Sequence, residues 1–127
     1  MKIDRIDHIV LTVADIQRTV AFYTRVLSMK KVVFEGGWTA LHFGGQKINL
    51  HPAGKEAKPN ARNADVGTGD LCFVADQPIG EIVRELQAHD VELELGPVPQ
   101  VGALGGMQSV YFRDPDDNLI EVATYRT

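Results

Sequence analysis

The chain is expected to fold as an α+β protein of two βαβββ modules whose mixed sheets form a partly open, barrel-like cleft. Three observations support this. Alternating apolar runs recur in the order strand, helix, three strands, and the order is then repeated. An aperiodic stretch rich in Pro, Gly and charge, residues 52–68, divides the repeats. The chain closes on FRDPDDNLIE, residues 112–121, a strand, an Asp/Pro turn and a second strand that carries a carboxylate among apolar residues.

At 127 residues the chain holds one domain, or two half-domains: module one about 1–52, a crossover 52–68 and module two about 69–127. In RIDHIVLTV, residues 5–13, His8, Val10 and Thr12 share one face of a strand and Ile9, Leu11 and Val13 the other. Asp15 is suited to N-cap a helix over residues 16–28, with Ile16, Val20, Tyr23 and Leu27 as its apolar stripe. Residues 30–35 and 38–43 read as strands joined at Gly36 and Gly37, and Gly44 and Gly45 turn the chain into residues 46–51, a strand ending in His51. In the second module, residues 70–75 are a strand. Pro78 opens a helix reaching about His89, with Ile79, Ile82, Val83 and Leu86 inward. Residues 91–95 are expected as a strand and the Gly/Pro-rich 97–106 as a loop, of which 98–106 reads equally as a lid over the cleft or as an ordinary mobile loop.

The modules can be superposed in sequence. DHIVLTVAD lies on GDLCFVAD, which sets His8 opposite Asp70, and GGQKINLH lies on DPDDNLIE, which sets His51 opposite Glu121. Two imidazoles and one or two carboxylates are donors that a divalent first-row metal accepts, with positions left open for substrate. Each residue also has a plainer reading. His8 would be a hydrogen-bonded strand histidine, and His51 would pair with Asn49 on its own face. Asp70 would accept from an imidazole or face water. Glu121 has the weakest plain reading, because a buried carboxylate without a partner is costly. Cys72 is read as a small apolar residue rather than a nucleophile, and the clustered Asp114, Asp116 and Asp117 as a turn rather than a calcium loop.

Composition excludes several functions. The net charge of −4 argues against nucleic-acid binding, and no apolar run approaches the roughly 20 residues that span a bilayer. The single Cys and the lack of a secretory leader fit the cytoplasm.

The element order, DHIVLTVADI, the helix AFYTRVLSMKKV and the closing YFRDPDDNLIEVA together resemble the vicinal oxygen chelate superfamily of glyoxalases, bleomycin-resistance proteins and extradiol dioxygenases. The resemblance spans nearly the whole chain. It implies one divalent transition metal (Ni, Zn, Co, Mn or Fe), held by His8, His51 and Glu121 with Asp70 at the fourth place, and a homodimer with its cleft near the interface. Ser28 stands where many relatives have Gly, a departure expected to affect only the turn. Dioxygenases and fosfomycin-resistance enzymes typically draw a histidine from the position of Asp70, so the set leans towards lyase or isomerase chemistry of the glyoxalase type. The implied mechanism is proton transfer through an enediolate of a substrate with vicinal oxygens. Glu121 is the base, and Asp70 a second ligand or alternative base. For a glutathione adduct, Lys55, Lys58 and Arg62 are the candidate carboxylate partners, and Tyr111 a candidate wall of the site. The rival readings are an extradiol-type dioxygenase using Fe(II), and a metal-free protein that sequesters a small molecule or antibiotic.

Overall fold

The computed structural model describes all 127 residues and parts into two compact units, Met1–Thr68 and Gly69–Thr127. Two helices and eight strands form two four-stranded mixed sheets, and neither sheet closes into a barrel. In the first unit β1 (His8–Val13), β2 (Lys30–Phe34), β3 (Trp38–Phe43) and β4 (Gln46–Pro52) are ordered β1-β4-β3-β2. β1 and β4 run parallel and the other pairs antiparallel. The second unit repeats the plan with β5 (Asp70–Val74), β6 (Leu95–Gly102), β7 (Gly105–Arg113) and β8 (Leu119–Thr124), ordered β5-β8-β7-β6 with β5 and β8 parallel.

Helix α1 (Ile16–Leu27) begins where Asp15 accepts the Arg18 N–H at 2.9 Å, as its sequence position implies. Its stripe is centred on buried Thr19, Tyr23 and Val26, while Ile16, Val20 and Leu27 are half-buried flanks. The stripe covers one face of the first sheet, with Leu11, Val13, Leu41, Ile48 and Leu50 in the core. Each such aliphatic stabilises the unit by roughly 1.5–3 kcal/mol. Helix α2 (Ile79–Ala88) has Pro78 as its N-cap rather than its first residue, and it buries Ile82 and Leu86 in a core with Val110, Phe112, Ile120 and Val122. Strand alternation therefore leaves the opposite face of each sheet open, carrying His8, Asn49 and His51 in the first unit and Asp70, Cys72 and Glu121 in the second among apolar neighbours such as Val10 and Val74.

Ser28 ends α1 in the left-handed region at φ 56°, its N–H reaching the Tyr23 carbonyl. A Cβ is strained there. Ser28→Gly is expected to raise stability by about 0.5–1 kcal/mol in a urea titration, and a loss of stability would contradict this reading of the cap.

Two expectations for the second unit need correction. Residues 91–95 are not a strand, and residues 97–106 are not a loop: the strand is β6, which begins at Leu95 and runs through Pro97 and Pro99 to Gly102. Pro is tolerated because β6 is the sheet edge. Gly96 is required at its start, since at φ +111° a Cβ would come within 2.5 Å of the Ser109 carbonyl oxygen.

The turn between β7 and β8 is a hydrogen-bonded knot. Buried Asp114 accepts from the Asp116 N–H (2.9 Å), the Asn118 N–H (3.0 Å) and Asn118 Nδ2 (2.9 Å). Asn118 Oδ1 in turn accepts the Gly69 N–H at 2.7 Å, which ties the turn to the start of β5. The three acids make a turn, as their sequence implies.

Candidate functional site

Strand register assigns residues to equivalent places more strictly than sequence matching. In the first unit His8 pairs with Lys47, Val10 with Asn49 and Thr12 with His51. In the second, Asp70 pairs with Leu119 and Cys72 with Glu121. With His8 set on Asp70, Lys47 falls on Leu119, Asn49 on Glu121 and His51 on Ala123. The structural equivalent of Glu121 is therefore Asn49, not His51. The ungapped match anchored the two turns on each other, but Gly44 and Gly45 make a two-residue turn where residues 114–118 bridge β7 and β8. The error is two residues, and a side-chain period of two keeps His51 on the same face as Asn49.

On the open face of the first unit, His8 is exposed and its Nδ1 donates to Asp7 Oδ1 at 2.8 Å. The bond to the His8 ring holds the Asp7 carboxyl below the usual carboxylate range. An imidazole fixed at one nitrogen by a carboxylate presents the other, here Nε2, to a ligand. His51 is only 8% exposed, and Trp38 leans on it with ring centroids 5.0 Å apart. Its Nδ1 is buried without a hydrogen-bond partner, and so is Asn49 Oδ1. The two residues stand about 7 Å apart along β4. Neither orphaned atom satisfies the other, which removes the plain reading of His51 as a partner of Asn49 at that nitrogen.

On the open face of the second unit, half-buried Glu121 lies between Cys72 on β5 and Tyr111 on β7, each in register with it. Its Oε2 is buried and unpartnered. Burial first, and then the Glu121 carboxylate, push the Cys72 thiol up to about 11. Tyr111 is raised by the same two causes. Cys72 is thus exposed, not the buried apolar filler expected from sequence. Ser109 Oγ, fully buried, is a further orphan on this face, two residues from Tyr111 and so on the same side. Asp70 is exposed at the edge of the face and contributes to the field around Arg113, whose guanidinium is clamped by Glu94 at 2.9 and 3.0 Å. Lys55, Lys58 and Arg62 lie exposed on the crossover.

No three His, Cys, Asp or Glu side chains stand close enough in the chain to form a metal cluster. The individual donors nevertheless suit a divalent ion: an imidazole and a carboxylate with unsatisfied buried atoms, and a second imidazole already oriented from behind. Sequence reasoning missed Asn49, because an amide is not a habitual metal donor. Its place opposite Glu121 was readable only from strand pairing.

The chain resembles known proteins over its full length. Virulence protein STM3117 of Salmonella typhimurium is 47% identical over 125 residues, 98% of this chain and 87% of that protein. An integron cassette protein from the mobile metagenome of Vibrio cholerae is 52% identical, with TM-score 0.96 over 99% of this chain and 98% of the other. Lactoylglutathione lyase of Agrobacterium tumefaciens is 26% identical, with TM-score 0.76 over 98% and 96%. The family model that describes the Glyoxalase/Bleomycin resistance protein/Dioxygenase superfamily matches residues 5–122, and the chain belongs to that superfamily.

Proposed function

We propose that the protein is a divalent-metal-dependent lyase or isomerase of the glyoxalase type, acting on a small substrate with two adjacent oxygens. The observation that carries the reading is the pair of orphaned donor atoms, His51 Nδ1 and Glu121 Oε2, each buried on an open sheet face. Leaving such atoms unsatisfied costs about 1–3 kcal/mol apiece, so a ligand that satisfies them is the economical explanation. His8, His51 and Glu121 would hold the ion, with Asp70 beside them. A bound divalent ion would supply Lewis acidity to the two substrate oxygens. The Glu121 carboxylate would take the proton from one carbon and return it to its neighbour. Trp38, packed on His51, and Tyr111, beside Glu121, would exclude water from the reacting atoms. Lys55, Lys58 and Arg62 would meet the carboxylates of a glutathione adduct.

The reading takes the working form to be a homodimer in the cytoplasm. No single chain gathers three metal donors, and Val10, Val74 and Leu95 on the open faces are 46%, 59% and 51% exposed, which suits faces that are covered on assembly. The likeness to lactoylglutathione lyase supports the substrate class. The test is turnover of the methylglyoxal–glutathione hemithioacetal by protein loaded in turn with Ni, Co, Zn and Mn. Thioester formation with at least one metal is expected, and none with any of the four would remove this substrate.

A further inference from the structure

The functional reading leaves three basic side chains on the open face of the first unit without a role. Strand pairing sets Lys30, His42, Lys47 and His8 in one row across all four strands, and residues paired directly across strands share a face. Two ammonium groups and two imidazoles therefore line up on the face that also carries Asn49 and His51. Asp7, the carboxylate at the β1 end of the row, is taken by His8 Nδ1 at 2.8 Å. Neither lysine has a carboxylate within ion-pair distance, and the His42 ring makes no hydrogen bond. The second unit supplies an internal comparison. There Asp70, Leu119 and Arg113 stand in the places of His8, Lys47 and His42, and Glu94 clamps Arg113 at 2.9 and 3.0 Å. That row is balanced within itself, one cation against two carboxylates, whereas the first carries uncompensated positive charge.

Lys47 is the half-buried member of the row. Its ammonium lies 3.9 Å from the centroid of the Phe34 ring, which belongs to β2, two strands away across β3. Phe34 is in register with Trp38, the ring that packs on His51. The stem of Lys47 thus crosses the open face and carries its charge towards the aromatic side. A ring is a weak hold for an ammonium compared with a charge-assisted hydrogen bond to an anion, so the charge is kept on the face without being neutralised.

We propose that Lys30, His42 and Lys47 form an anion site on the open face of the first unit, which takes the doubly negative part of a small-molecule ligand. Ammonium groups are point charges on flexible stems and lack the guanidinium fork that matches a planar carboxylate. The site therefore selects by charge, for a small dianion such as a phosphate monoester or a dicarboxylate. It stands on the first unit alone and uses none of the proposed metal donors, so it holds or fails apart from the metal reading.

The experiment titrates metal-stripped protein with inorganic phosphate and, separately, with succinate, by calorimetry at low ionic strength and slightly alkaline pH, where both are dianions. The wild type is compared with Lys30→Met, Lys47→Met, Lys47→Arg and Arg84→Gln. Met keeps the stem without the charge, Arg keeps the charge, and Arg84, exposed on α2, controls for net charge. Saturable binding of at least one of the two anions is expected, weakened about 10-fold in Lys30→Met and in Lys47→Met and kept in Lys47→Arg and Arg84→Gln. The anion that binds more tightly assigns the site to phosphate monoesters or to dicarboxylates. Equal affinity in wild type and Lys47→Met would overturn the site. So would an equal loss in Arg84→Gln, which would make the binding an effect of net charge. No saturable binding of either anion by the wild type would also overturn it, whether or not the protein binds a metal.

Discussion

Glu121→Gln is expected to lower kcat by about 10²- to 10⁴-fold while leaving the metal-free fold intact or slightly more stable. The two halves of this expectation have one cause. Oε2 is a buried carboxylate oxygen with no partner, so in the metal-free protein it is a liability, and replacing the charge by an amide removes part of its desolvation penalty. In the loaded protein the same atom is the donor that the amide replaces poorly. Turnover measured beside urea unfolding separates this account from a structural role, in which the substitution would cost stability and activity together. Full activity in Glu121→Gln would remove the residue as base.

Asp114→Ala is expected to destabilise the protein by about 3 kcal/mol. The carboxylate accepts three hydrogen bonds at 2.9–3.0 Å, two of them from backbone N–H groups of the turn. Its partner Asn118 is 1% exposed and holds the Gly69 N–H, so the loss spreads from the turn to the pairing of β5 with β8. Urea denaturation reads the effect directly. A change below about 0.5 kcal/mol would mean that the knot is redundant.

Much of the fold was legible because local chemistry and tertiary structure agree. Asp15 caps the helix that its position implies, and Ile82 and Leu86 are buried as their spacing predicts. Residues 95–102 were illegible because propensity describes an average strand. Pro97, Pro99 and a glycine at positive φ are admissible only on an edge whose neighbour, β7, leaves no room for a Cβ at Gly96. The candidate site was legible as residue types and faces but not as register. His8 and Glu121 stand out as polar residues in apolar strands, whereas the equivalence of Asn49 to Glu121 depends on which residue each strand sets beside its neighbour. Cys72 reads differently in the structure for the same reason: its exposure and its place beside the Glu121 carboxylate are set by strand pairing, and nothing beside it in sequence reveals that.

The central claim is that these faces present donors for a divalent ion. Metal analysis of protein purified without chelators tests it most directly. The account predicts close to one equivalent of a transition metal per chain, lost in Glu121→Gln. Less than about a tenth of an equivalent, with no uptake on adding Ni, Co, Zn or Mn, would contradict it and favour a protein that sequesters a small molecule without metal.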